Sequence, residues 1–376
     1  MRILFFVSSM NAGGAERVAA SLANAWVQRG DAVCLVPTHL QTDSSFYALD
    51  PRVQFQPLKD KLSWFPPFVT PLRKWRAIKK IHDTFNPDVV VSFLTNVNVN
   101  VLLALRGVPT PVIVCERTNP VVSQSADKKL QALRSKLYPR ATRVVVQTQD
   151  AAQAFAQAEP QLGELAVIPN PIPPALAVLP LATEVEKTDQ PKLIAMGRLV
   201  PAKRFDQLIH VFGLLLDAFP EWSLHIYGEG PERESLERRA ELVGGKDRIF
   251  LHGKTNEPWQ VLAQAQLFVL TSAYEGFPNV LLEAMTLGLP CVTVDCPSGP
   301  KEISNAGRDA SLVMMDNEQA LRRALSELMA DPRLRGALGQ RAAASVRERY
   351  GMQAVIEQWD TIFRQAGLIQ LKQGES

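Results

Sequence analysis

The stretch Ile3-Leu-Phe-Phe-Val-Ser-Ser-Met-Asn-Ala-Gly-Gly-Ala-Glu-Arg-Val-Ala-Ala-Ser-Leu-Ala-Asn-Ala-Trp-Val-Gln-Arg-Gly-Asp-Ala-Val-Cys-Leu-Val36 decides the fold. An apolar run over 3–7 reads as a strand and gives way to a loop over 8–14. Apolar residues then recur at Ala15, Val18, Ala19, Leu22, Ala25 and Trp26, the period of a helix, until Gly30 ends it. A second apolar run over 32–36 reads as the next strand. Further runs at Val89–Phe93, Val112–Cys115 and Val144–Gln147 extend the series. Strands alternating with helices imply a parallel sheet with right-handed crossovers.

A chain of 376 residues is too long for one ordinary core and suits two domains. Residues 169–191 hold six prolines and read as an irregular connector. Beyond it a second series begins, with strands near 193–197, 222–227, 249–251, 267–271 and 290–294 and helices near 204–218, 231–243, 257–265 and 278–287. The tail from Glu318 to Leu371 reads as helical almost throughout. The expectation is an α/β protein of two doubly wound, Rossmann-like parallel-sheet domains facing a cleft, with ligands at the carboxyl ends of the strands. The boundaries are 1–172, a proline-rich linker over 173–191, and 192–351.

Composition excludes several classes. Hydrophobic content of 46% with 21% charged residues is ordinary for a soluble enzyme, and no segment reaches the roughly 18 unbroken apolar residues of a spanning helix. The run at 3–7 is short, turns polar at Ser8 and lacks a cleavage pattern, so it reads as a strand and not a signal peptide, which points to a cytoplasmic protein. Cys34, Cys115, Cys291 and Cys296 are scattered, which suits neither a disulfide framework nor a zinc site. A net charge of +3 and the absence of a recognised module disfavour nucleic acid as a partner.

Chemistry concentrates at Glu275-Gly-Phe-Pro-Asn-Val-Leu-Leu-Glu283. Pro278 suits the first position of a helix over 278–287, with Gly288 just past its end and Pro290 beyond. Phe277 offers no side-chain oxygen as a cap, so the amides of Asn279, Val280 and Leu281 suit a phosphate. Glu283 stands among apolar neighbours, where a ribose diol would satisfy a buried carboxylate. A solvated glutamate on an amphipathic helix is the plainer reading. The segment Met196-Gly-Arg-Leu-Val-Pro-Ala-Lys203 puts Arg198 and Lys203 after a strand, where both suit a nucleotide diphosphate and its departing charge. Two exposed surface cations are the alternative.

In the first loop, Gly13 and Gly14 permit close approach of an anion to a helix start, or simply shape the turn. The dinucleotide spacing G-x-G-x-x-G is missing. No D-x-D and no histidine cluster occurs, so neither a metal nor another cofactor is required. The five histidines read as isolated, with His225 and His252 as core or cleft-wall residues. No Ser-His-Asp order and no activated cysteine can be argued.

Together, Asn11-Ala-Gly-Gly-Ala-Glu16, Gly197-Arg198 with Lys203, Tyr227-Gly-Glu-Gly-Pro231, Glu275 with Glu283, and Cys296-Pro-Ser-Gly-Pro-Lys-Glu-Ile303 resemble glycosyltransferase family 4, with its two-domain GT-B fold. Within it the chain looks most like bacterial enzymes adding N-acetylgalactosamine or related sugars to polyprenyl-diphosphate-linked oligosaccharides. The resemblance implies a retaining hexosyl- or N-acetylhexosaminyltransferase. It would move sugar from a nucleotide sugar, usually a UDP-sugar, to a lipid-linked or other glycan acceptor in cell-surface polysaccharide synthesis. Arg198 and Lys203 would stabilise the diphosphate, Glu283 would hold the ribose, and Glu275 would bind sugar hydroxyls. Gly197, Gly276, Phe277, Pro278, Asn279, Val280, Leu281 and His252 would complete the nucleotide-sugar site. Gly13 and Gly14 would approach the diphosphate or acceptor from the first domain. Family members often carry a histidine near the donor sugar; Arg117 stands where it is expected. The family's last helix crosses back to the first domain, a role that 352–376 fits.

Between Lys59 and Lys80, seven basic residues meet only Asp60. Trp64, Phe65, Phe68 and Trp75 accompany Arg73, Lys74, Arg76, Lys79 and Lys80, which suits the inner face of the cytoplasmic membrane or a diphosphate-linked acceptor. If 72–82 is helical, Leu72, Trp75, Ile78 and Ile81 form a stripe that serves equally to pack on the domain core. A non-enzymatic two-lobed binding protein explains the fold but not Arg198, Lys203, Glu275 and Glu283 together. A transferase with a soluble acceptor is a further alternative. A dehydrogenase is disfavoured by the missing fingerprint.

Overall fold

The computed structural model describes residues 1–39, 44–58, 70–119, 121, 126–182 and 190–368. The aromatic residues Trp64, Phe65 and Phe68 lie outside the described residues. The chain divides into two compact units, Met1–Pro171 with Met352–Ser376, and Ile172–Gly351.

Unit 1 begins with β1 (Arg2–Val7), α1 (Gly14–Gln28), β2 (Ala32–Pro37) and β3 (Gln54–Phe55). It continues with α2 (Thr70–Phe85), β4 (Val89–Phe93), α3 (Thr95–Ala104), β5 (Val112–Cys115), α4 (Lys128–Leu137), β6 (Arg143–Val146), α5 (Gln149–Ala158) and β7 (Ala166–Val167). The seven strands run in the order β3-β2-β1-β4-β5-β6-β7, with every pairing parallel. In β1 the alternate residues Ile3 and Phe5 face one core while Leu4 and Phe6 face another. Both faces are covered, which is why the strand reads as an unbroken apolar run. α1 covers the first face with Trp26, and α2, α3 and α5 cover the second.

Unit 2 opens with a helical turn, α6 (Pro174–Ala177), in the proline-rich stretch expected to be irregular. Pro174 sits at the helix start, where its missing N–H costs nothing, and Leu176 is fully buried. Backbone bonds from Ile172 to Tyr350 and from Ala182 to Leu287 tie 172–182 into this unit; residues 183–189 of the expected linker lie outside the described residues. Then follow β8 (Lys192–Met196), α7 (Phe205–Gly213), β9 (Ser223–Tyr227), α8 (Arg233–Leu242), β10 (Ile249–His252), α9 (Pro258–Ala263) and β11 (Leu267–Leu270). The unit closes with α10 (Asn279–Thr286), β12 (Cys291–Asp295), α11 (Pro300–Ile303), β13 (Ser311–Met314), α12 (Glu318–Ala330) and α13 (Pro332–Tyr350). Its six strands run β10-β9-β8-β11-β12-β13, again all parallel.

The helical tail is broken at Asp331, whose carboxylate caps α13, and at Gly351. The last helix, α14 (Met352–Gln365), belongs to unit 1, where Trp359 packs edge-on against Trp26 at 5.4 Å. In both sheets the strand order reverses beside the first strand, between β1 and β4 and between β8 and β11. Such switch points open a crevice at the carboxyl ends of the strands.

Candidate active site

At the switch point of unit 2 the loop after β8 meets the loop after β11. Lys203 Nζ donates to Glu275 Oε1 at 2.6 Å, and Ser272 Oγ donates to the same oxygen at 2.6 Å. The pair is mostly shielded, with 19% and 11% of the two side chains exposed. Backbone bonds clamp the loops: Ala273 N donates to Ala202 O, Glu275 N to Pro297 O, and the Thr271 hydroxyl to Lys203 O. Arg198 is exposed and its guanidinium makes no hydrogen bond or ion pair among the described residues. One bound and one open cation therefore flank the same crevice, an arrangement that suits a polyanion.

The loops approach closely because two glycines permit it. A Cβ on Gly228, where φ is +152°, would lie 1.8 Å from Gly197 O. One on Gly299, where φ is +106°, would lie 2.4 Å from the Pro278 ring. Gly197 N donates to Tyr227 O, and Arg233 bonds the carbonyls of Gly228, Leu251 and His252, fixing the ends of β9 and β10.

The helix carrying Glu283 begins one residue later than expected. Pro278 has φ −76° and ψ 83°, close to an inverse γ-turn, so Asn279 N donates to Phe277 O and Leu281 N to Pro278 O. Two of the three amides thought open to phosphate thus have backbone partners, which leaves Val280 N at this end. Phe277, Pro278 and Leu281 are buried, while Gly276, Asn279 and Val280 are half-buried. Glu283 is only 3% exposed, so it is not a solvated surface residue. The Trp259 indole on α9 donates to its Oε2 at 3.1 Å.

His225 and His252 are not isolated. Strand pairing sets His225 opposite Phe250 and Tyr227 opposite His252, and the imidazoles stack and share a bond, His225 Nδ1 to His252 Nε2, at 2.9 Å. Tyr227 also stacks on His252, at 4.4 Å between ring centroids. Burial, His252 and Lys192 push His225 down to about 4. Burial, Lys192 and Arg233 also lower His252. Both rings are therefore neutral near pH 7.

In unit 1, Gly13 precedes α1 with extended backbone, φ −168°. The Tyr47 hydroxyl accepts from Gly13 N and donates to Gly13 O, and the Glu16 carboxylate, bonded to Ser9, lies where a Gly13 Cβ would project. An anion approaching Gly13 and Gly14 meets that carboxylate. Arg117 is buried just past β5.

On α2, Ile78 and Ile81 join the core, Trp75 donates to Asn100, and Lys74 is buried with its Nζ 3.1 Å from His39 Nε2. Leu72, Arg73, Arg76, Lys79 and Lys80 are exposed. The apolar stripe thus packs inward, apart from Leu72. Beyond α2, α4 packs on α3 and exposes Lys128, Lys129 and Lys136 on the same side of the sheet.

Among the described residues no helix is long and apolar enough to cross a membrane, and no three metal-ligating side chains converge. The four cysteines are buried free thiols whose burial raises their pKa, to about 12 for Cys34, Cys115 and Cys296. None is poised as a thiolate.

Residues 13–171 match a family model described as a glycosyl transferase 4-like domain, and residues 182–345 match one described as glycosyl transferases group 1. An exopolysaccharide phosphotransferase of Streptomyces coelicolor is 34% identical over 56% of this chain, which spans only 21% of that protein. An alpha-1,4-N-acetyl-D-galactosaminyltransferase of Campylobacter jejuni, whose name specifies a PP-undecaprenol substrate, is 24% identical over 96% of this chain and 97% of its own length. Among solved structures, the sucrose-phosphate synthase of Thermosynechococcus elongatus superimposes with a TM-score of 0.82 at 18% identity, covering 97% of this chain and 99% of that one.

Proposed function

We propose, from the premise that a glycosyl transferase 4-like domain and a glycosyl transferases group 1 domain make up this chain, that it is a retaining glycosyltransferase. It takes a hexose or N-acetylhexosamine from a UDP-sugar and transfers it to a glycan acceptor carried on a polyprenyl diphosphate. The observation that carries this reading is the Lys203–Glu275 contact at the switch point of unit 2, with Arg198 open beside it. Departure of a nucleoside diphosphate is the hard step in such a transfer. Preset cations stabilise the charge as it develops, without reorganising at the moment of reaction.

Each residue then has a role. Arg198 offers a planar fork to phosphate oxygens, and Lys203 exchanges part of its contact with Glu275 for the leaving phosphate. Glu275, held by Ser272, receives sugar hydroxyls. Glu283 accepts from the ribose diol, with the Trp259 indole donating to its Oε2 and orienting the carboxylate. The leaving phosphate takes the proton of the acceptor hydroxyl, so no side chain is assigned as general base. The exposed cations of α2 and α4 draw unit 1 to an anionic membrane at the cytoplasmic face.

Incubation with a panel of radiolabelled nucleotide sugars and a lipid extract tests the reading. Label entering the lipid fraction, dependent on one nucleotide sugar and lost in Arg198→Ala, is the expected result. Absence of transfer from every donor, together with no binding of UDP, would overturn it.

A further inference from the structure

Four consecutive strands of unit 1, β4 to β7, deliver Phe93, Arg117, Gln147 and Asn170 to one point at their carboxyl ends. Asn170 Oδ1 accepts from Arg117 Nη2 and, at 2.8 Å, from Gln147 Nε2. The Arg117 guanidinium lies over the Phe93 ring, 4.2 Å from its centroid. All three polar side chains are more than nine-tenths buried, with Arg117 7%, Gln147 4% and Asn170 2% exposed.

The cluster is incomplete as it stands. Among the described residues, Arg117 Nε and Gln147 Oε1 are enclosed without a hydrogen-bond partner. Nη1 makes no hydrogen bond among the described residues and is not among the enclosed atoms, which leaves the Nη1 side of the guanidinium open beside the Nη2 that donates to Asn170. No ion pair joins Arg117 to any acid among the described residues. The neighbouring Glu116 is committed elsewhere, its carboxylate accepting from Thr95 at 2.9 and 2.8 Å and from the Tyr138 hydroxyl. Burial without a counter-ion pulls the guanidinium down to about 10. A buried cation that no acid neutralises is costly, and an anion from outside the chain would relieve that cost.

We propose that Arg117, Gln147 and Asn170 form a subsite for the carboxylate of a hexuronate, the fork of Arg117 taking the carboxylate and Gln147 Oε1 a ring hydroxyl. The class follows from the donor set. A guanidinium edge matches a planar carboxylate with two parallel bonds. Gln147 Oε1 needs a donor, which a sugar hydroxyl supplies and a fully ionised phosphate does not. The terminal torsion of a glutamine is broad, so a small rotation brings Oε1 to the ligand. The inference rests on the glycosyltransferase reading only in supposing that a sugar comes to this unit, either as the donor's glycosyl group or as the acceptor's end.

Calorimetric titration of the full chain with sodium glucuronate, methyl glucuronide, glucose, UDP-glucuronate and UDP-glucose tests it. The acidic sugar of a pair is expected to bind about tenfold or more tightly than the neutral one. A preference in the UDP-linked pair assigns the carboxylate to the donor, and one confined to the free sugar and methyl glycoside assigns it to the acceptor. Arg117→Gln should remove the preference, and Arg117→Lys, which keeps the charge without the fork, should restore part of it. Thermal unfolding monitors whether each variant folds. Equal binding of acidic and neutral sugars by the parent, or a preference that survives in folded Arg117→Gln, would overturn the proposal. Transfer from neutral donors alongside equal binding sinks the subsite and leaves the transferase standing. Preferential binding of the free acidic sugar, with no transfer from any donor and no binding of UDP, does the reverse.

Discussion

The loop after the first strand is built differently in the two units, although the sheets around it share one topology. In unit 1 the turn at Gly13 closes on itself: the Tyr47 hydroxyl takes both its N–H and its carbonyl, and Glu16 sits over the helix start. In unit 2 the turn at Gly197 ends in Arg198, which is exposed and has no partner among the described residues, and Lys203, which is held by an acid 72 residues away. One turn closes its polar groups on itself, and the other leaves a guanidinium open, which on the proposed reading receives the diphosphate. A strand-to-helix turn is therefore an opportunity for anion binding, and the side chains around it decide whether that opportunity is used.

The largest effect that would sharpen this contrast lies in unit 2. Arg198→Ala or Lys203→Ala should lower kcat about 10²–10³-fold, the size expected for removing one preset charge-stabilising group, with little change in thermal unfolding. Loss of turnover only in step with loss of folding would erase the distinction between the two turns. Full activity in EDTA is the companion expectation, and a strict need for a divalent cation would show that Arg198 and Lys203 do not suffice for the diphosphate.

A smaller effect is expected at Glu283. Its change to Gln removes a charge-assisted acceptor worth about 1.5–3 kcal/mol, or roughly 10- to 150-fold in UDP affinity. Unchanged calorimetric affinity in a folded variant would place Glu283 outside the site. Smaller still, reversing Arg76 and Lys80 to Glu should weaken binding to anionic vesicles several-fold at low salt and slow transfer to a lipid acceptor, while UDP binding is kept. Salt should mimic the change, since it screens such attraction beyond about 8–10 Å. Equal vesicle co-sedimentation by the doubly reversed protein would leave α2 as a plain solvated helix.

The histidine pair supplies a pH test. Both folded-state values lie below the ordinary 6.5, with His225 near 4. The unfolded chain therefore binds protons first, and the contribution of the pair to stability is intact above about 6.5 and is lost as pH falls toward 4. His225→Gln should flatten the fall in melting temperature over that window. The smallest change belongs to the closed turn: Tyr47→Phe should cost about 1 kcal/mol of stability per lost bond and leave kcat unaltered. A large catalytic defect there would break the comparison outright.

The strand-helix-strand alternation and the two carboxylates of the Glu275–Glu283 segment were legible because each depends on local spacing. What stayed hidden depends on residues distant in the chain. Lys203 meets Glu275 only because β8 and β11 are neighbours, and Trp259 reaches Glu283 only because α9 packs on α10. The histidines looked solitary because the register that sets Phe250 opposite His225 is a property of the sheet. The turn at Pro174–Ala177 had a readable signal, a proline pair followed by Ala-Leu-Ala, which the density of prolines obscured. The inward stripe on α2 was visible as a pattern, but Lys74 was not expected inside, because its neighbour His39 lies 35 residues earlier.

The return of α14 to unit 1 sets an order of events during synthesis. The Trp26 face of unit 1 is finished by Trp359 and Phe363, which leave the ribosome only after all of unit 2. At 5–20 residues per second the roughly 180 residues of Ile172–Gly351 take about 10–40 s. Through that interval the contiguous unit 2 is free to fold, while unit 1 waits with an indole side uncovered. A nascent chain stalled before residue 352 would carry that sticky face, and it is there that a chaperone would be needed.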